Sequence, residues 1–108
     1  MGNLETVRAK LLNRRILDVL QAAGRALGEG WITARAIYAY LGSEFDSLTL
    51  GDVEEALRYL RDKGYVLVEV RDRSILDPGW LESRLAPKGA DLLRQVIPPD
   101  PGVEDDRR

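Results

Sequence analysis

Apolar residues recur along the chain in two rhythms, and each rhythm points to an element. Over residues 4–23, Leu4, Val7, Leu11, Leu12, Ile16, Val19, Leu20 and Ala23 fall at steps of three and four, the period of an amphipathic helix. Arg8, Lys10, Arg14, Arg15 and Asp18 occupy the intervening positions, and Gly24 is a natural stop. Residues 24–30 hold three glycines and read as a loop. Trp31 and Ile32 form a short apolar pair, a bridge of strand. Thr33 is a good N-cap, and Ala36, Ile37, Tyr40 and Leu41 then repeat at helical spacing until Gly42. Residues 43–48 connect to a third helix, with Phe45 and Leu48 as anchors into a core.

Thr49-Leu50-Gly51-Asp52 has the form of a capping box, with the acid at the positive end of the helix dipole. Val53, Ala56, Leu57 and Leu60 supply the buried stripe of that helix, which Gly64 ends after Lys63. The rhythm then changes to a period of two: Val66, Val68 and Val70 alternate with Leu67 and Glu69, and residues 80–85 alternate again. Asp77-Pro78-Gly79 supplies turn chemistry between these runs, so they predict a β-hairpin with a long tip. Pro87 suits the first position of a last helix running through Leu92, Leu93 and Val96 to Ile97. Pro98, Pro99 and Pro101 stop it, leaving residues 98–108 as a polar tail expected to be disordered. The expected core joins Ile37, Val53, Leu57, Leu60, Val66, Val68, Leu85 and Leu92.

Composition narrows the chemistry. The chain has 108 residues, enough for one domain, here residues 1–97 with an extended N-terminal helix. Cysteine and histidine are both absent, which removes disulfides, thiol and imidazole catalysis and the ordinary zinc, haem and iron–sulfur sites. No carboxylate pair stands in an apolar setting suited to acid catalysis, and Gly24, Gly28 and Gly30 lack the spacing and the Lys-Ser or Lys-Thr pair of a phosphate loop. The reading is therefore a non-enzyme without metal or cofactor. No run approaches the ~20 apolar residues of a membrane helix and no secretory pattern opens the chain, so the expected location is the cytoplasm. Sixteen Lys and Arg face eighteen Asp and Glu, a net charge of −2 that does not advertise a nucleic-acid binder.

The order helix, short strand, helix, helix, strand, wing, strand, helix is mainly α with a small β-hairpin, an α+β class. It resembles a winged helix-turn-helix domain. Two segments carry the resemblance. Residues 53–66, VEEALRYLRDKGYV, are similar to the end of a recognition helix running into the first wing strand. Residues 84–93, RLAPKGADLL, resemble the second wing strand turning into a C-terminal helix, as in bacterial regulators of the PadR and MarR kinds. The match spans roughly residues 12–97 and departs at Ala86, where those families carry a capping threonine. The resemblance implies a supporting helix at 33–42, a helix laid in the major groove at 49–63 and a wing at 71–79. It also implies a homodimer through terminal helices.

The candidate DNA contacts are then Thr49, Arg58 and Arg61 on the third helix and Arg71 and Arg73 on the wing. The last two are two apart on a strand and point to one side. The front of the third helix is acidic: Asp52, Glu54 and Glu55 would repel phosphates, although a carboxylate can accept from a cytosine edge. The N-terminal 25 residues are the most basic stretch, with five cations against two acids, and read as the solvated side of a helix or as phosphate contacts. Leu4, Val7 and Leu11, with Leu93, Val96 and Ile97 nearby, are the expected dimer interface. The functional expectation is a protein that binds double-stranded DNA, either a small transcriptional regulator or a phage-type regulatory protein. The alternative is a winged-helix interaction module in a larger assembly. Its protein partner would meet the tip residues Ile75 and Leu76 or the Asp52, Glu54 and Glu55 face.

Overall fold

The structure, a computed structural model, describes residues 3–27, 31–70 and 81–105. Four helices and a three-stranded antiparallel sheet follow one another as α1 (Asn3–Leu27), β1 (Ile32–Thr33), α2 (Ala34–Leu41), α3 (Leu50–Asp62), β2 (Val66–Val70), β3 (Leu81–Leu85) and α4 (Pro87–Leu93). The fold is mixed α+β. Strand β3 lies between β1 and β2, with Ser83 opposite both Ile32 and Val68. Ser83 is fully buried and its hydroxyl donates to the Ile32 carbonyl at 3.4 Å, so the central strand carries no unsatisfied polar side chain at this crossing.

Local chemistry accounts for the helix ends. The Thr33 hydroxyl accepts from the Ala36 N–H, and at α3 both halves of the Thr49–Asp52 capping box form, each at 3.0 Å. Helix α4 starts at Pro87 behind Ala86, which offers no side-chain cap. Helix α3 closes in a Schellman motif: Tyr65 N–H reaches the Leu60 carbonyl and Gly64 N–H the Arg61 carbonyl. The φ of +84° that this requires at Gly64 is open to glycine without a Cβ penalty.

Ile16, Leu17 and Leu20 of α1, Ile37 and Leu41 of α2, Val53, Leu57 and Leu60 of α3 and Val66 of β2 are essentially inaccessible and form one core, closed by Leu92 of α4. Val68 and Leu85, expected inside it, are half-buried and pack on its edge, Val68 on the outer strand β2 and Leu85 at the last position of β3.

Four expectations need correction. Helix α1 does not stop at Gly24 but continues to Leu27, since an isolated glycine costs a helix only about 1 kcal/mol. Its buried stripe also takes in Leu17, which the pattern left out, while Val7 and Leu11, expected at an interface rather than in the core, are 47% and 41% exposed. Helix α4 ends at Leu93 rather than Ile97: Gln95 takes a φ of +62°, and Val96 N–H turns back to the Asp91 carbonyl. The described part of the expected tail, residues 98–105, is laid against the domain, with Val103 4% exposed in the core.

Candidate functional site

The outward side of α3 carries Gly51, Glu55, Arg58 and Asp62, with Arg61 beside them, all exposed. Thr49 is exposed at the helix start, but its hydroxyl oxygen and backbone N–H are both engaged in the capping box. Among the described residues Arg58 makes no hydrogen bond or ion pair. Arg61 lies 3.2 Å from Asp62, an exposed pair of the kind worth ~0–1 kcal/mol. The wing candidates Arg71 and Arg73, and the tip residues Ile75 and Leu76, lie outside the described residues.

The three acids at the front of α3 do not form one face. Asp52 caps the helix and lies 3.6 Å from the Arg8 guanidinium, which also donates to the Asp46 carbonyl. Glu54 is 8% exposed, and its Oε2 is buried with no hydrogen-bond partner among the described residues. Glu55 alone stands in solvent on that half of the helix. The basic stretch of α1 is spent in a similar way. Arg15 pairs bidentately with Glu44 at 2.8 and 3.0 Å and also reaches Asp18, which raises the Arg15 pKa and lowers that of Glu44. Arg14 binds Asp18 and the Glu104 carbonyl.

The flank of α3 facing the C-terminal segment holds a polar cluster that the sequence did not disclose. Asp100 Oδ1 accepts from the Tyr59 phenol at 2.5 Å and from the Gly102 N–H at 2.7 Å, while Oδ2 accepts from the Tyr65 phenol at 2.7 Å. The Asn13 amide donates to the Gly102 carbonyl at 2.8 Å, and Glu104 N–H pairs with the Lys10 carbonyl at 3.1 Å. Tyr59 sits on the last turn of α3, and the Schellman turn at Gly64 swings Tyr65 in beside it. Burial works against the charged form of Asp100, but the two phenols, the Gly102 N–H and the Lys63 ammonium outweigh it and hold its carboxyl below the ordinary value. Burial, and then the carboxylate they serve, push the phenols up, Tyr59 to about 12 and Tyr65 further.

Beside this clamp a cleft of about 620 Å³ opens between α1 and α3, lined by Arg8, Lys10, Asn13, Glu55, Tyr59 and Gly102 among others. The one trace of the clamp in the sequence is a lone Val103 in a polar stretch and an Asn13 beside an apolar stripe, neither of which names its partner. Of the expected dimer residues, Val7, Leu11 and Val96 (68% exposed) face solvent, whereas Leu93 and Ile97 pack partly on their own core. The side chain of Leu4 lies outside the described residues.

No family model, curated protein or solved structure matches this chain. Among the described residues no group of His, Cys, Asp and Glu is placed to hold a metal, and no helix is long and apolar enough to cross a membrane.

Proposed function

We propose that this chain is a winged-helix DNA-binding protein acting as a small transcriptional regulator. In this reading α2 supports α3, α3 enters the major groove, and residues 71–79 between β2 and β3 are the wing, with Arg71 and Arg73 on phosphates. The observation that carries the reading is where the front acids of α3 lie. Acidity was the main objection to a groove helix, and two of its three sources are withdrawn: Asp52 into the cap and Arg8, Glu54 into the protein. What remains outward is Glu55 and Asp62 with Arg58 and Arg61, a face of balanced charge on which Glu55 is the one front acid left to oppose phosphate. The same withdrawal breaks up the acidic patch on which docking of a protein partner would rest. Two copies meeting through the Val7 and Leu11 side of α1 would set two reading heads on a two-fold site, and Leu11→Asp should then convert a dimer to a monomer in sedimentation.

Titration with mixed-sequence duplex DNA at low and moderate salt tests the function. Binding that weakens with salt, at a slope near −0.9 per phosphate contact, is the expected result. Absence of binding at low salt overturns the proposal.

A further inference from the structure

The clamp on the C-terminal segment recognises a short sequence rather than a single charge. Asp100 gives its carboxylate to two phenols and to the Gly102 N–H, closing a tight turn over Pro101. Gly102 gives its carbonyl to Asn13, and a Cβ at this position would overlap the Tyr59 phenol, so any other residue at the third place of the turn forces the ring or the turn to move. Asp-Pro-Gly is therefore read at its first and third positions. Val103, the apolar residue that follows, is buried.

The same triplet occurs a second time in the chain, as Asp77-Pro78-Gly79, and it too is followed by an apolar residue, Trp80. We propose that the pocket formed by Asn13, Tyr59 and Tyr65 is a receptor for Asp-Pro-Gly turns, filled in cis by residues 100–102, and that its second ligand is residues 77–79 of another copy of this chain. Reach favours another copy over the same one. Asp77 precedes Leu81 by four residues, at most about 14 Å of extended chain. Leu81 pairs with Val70, which lies five residues beyond Tyr65, about 17 Å along the strand at ~3.3 Å per residue. A chain's own second triplet is tethered within four residues of Leu81, whereas one from another copy carries no such tether and can approach through the open cleft between α1 and α3 that borders Gly102. The tethered segment 98–105 competes for the pocket at a high effective concentration, so the exchange waits on its release. This inference does not depend on DNA binding, and each can fail without the other.

The test uses the full chain carrying Gly102→Ala, whose added Cβ meets the Tyr59 phenol and displaces the native turn. The probe is a peptide with the sequence of residues 74–82, SILDPGWLE, followed by NMR at the Asn13 amide and the Tyr59 and Tyr65 rings. Saturable shifts at those three residues are expected. Binding should be at least ~10-fold weaker to the wild-type chain, whose pocket is filled, and lost for a peptide carrying Gly79→Ala. Absence of shifts at the three residues in folded Gly102→Ala protein overturns the proposal, as does equal binding by the Gly79→Ala peptide or by the wild-type chain. Should Gly102→Ala not fold, full-length Asp100→Asn, which weakens the clamp through its charge, is read against the same outcomes.

Discussion

The two sides of α3 differ in how much of their chemistry is already committed. On the flank toward the C-terminal segment, Tyr59 donates to Asp100, and about two turns earlier Asp52 serves the cap and Arg8. On the outward side, Arg58 is bound to nothing among the described residues, and Arg61 has only a loose partner in Asp62. Arg58 and Tyr59 are adjacent in sequence, about 100° apart on the helix, and among the described residues one makes no polar contact while the other is held. Exposure therefore identifies a surface, but only the inventory of partners separates a surface that holds the fold together from one that can meet something else.

Removing what both sides share has the largest expected effect. Leu57 is fully buried beneath them, and Leu57→Ala should cost about 2–5 kcal/mol in a denaturant melt. A near-neutral result would mean that the helix does not bury this side, and the contrast would go with it.

Breaking the committed flank alone comes next. Asp100→Ala leaves two phenols and the Gly102 N–H without their acceptor, and loss of such a partner costs about 1–3 kcal/mol. The variant should melt earlier and be cut by protease within residues 98–105, with DNA affinity unchanged. A protease pattern like the wild type's would show that the clamp does not hold the segment.

The same clamp gives stability a pH dependence with two limits. The Asp100 carboxyl is held below its ordinary value, so its contribution is present above about pH 4 and is lost as pH falls through the lowered folded value. The Tyr59 phenol is raised to about 12, so its contribution is present below about pH 10 and is lost as pH rises from there toward 12. Urea midpoints measured across both ranges should fall at each limit, and Asp100→Ala should remove its part of the acid limit and lessen the alkaline one, which burial of the phenol also sustains. An acid limit that survives in the variant would assign it to other carboxylates.

The sequence disclosed the elements better than their partnerships. Periods of three to four and of two located six of the seven elements, and the caps at Thr33 and Thr49 and the stop at Gly64 were legible because they depend on residues within four positions. The end of α4 was missed, since Gln95 gives little sign that it will adopt a positive φ. The clamp was hidden for a different reason. Asn13, Tyr59, Tyr65 and Asp100 are spread over almost the whole chain, and polar residues among prolines resemble a solvated tail until the fold supplies donors. Pattern also overstated the acidity of α3, because the positions of Asp52 and Glu54 on the helix do not reveal Arg8 or the burial of the Glu54 carboxylate.

The finest test compares the two arginines of the outward side. Neither Arg58→Ala nor Arg61→Ala should move stability by more than about 0.5 kcal/mol, since both side chains stand in solvent and make no contact that the core depends on. Their effects on DNA binding should differ. Arg58 has no competing partner among the described residues, so its loss should lower the slope of log affinity against log salt by about one, the value for one phosphate contact. Arg61 has to leave Asp62 to reach a phosphate, so Arg61→Ala should lower the slope by less, and Asp62→Asn should bring Arg61 up toward the effect of Arg58. Equal slopes for the two alanine variants, with Asp62→Asn inert, would show that a pair this exposed restrains nothing. Partner inventory would then cease to rank the outward residues, and solvent exposure alone would have to do so.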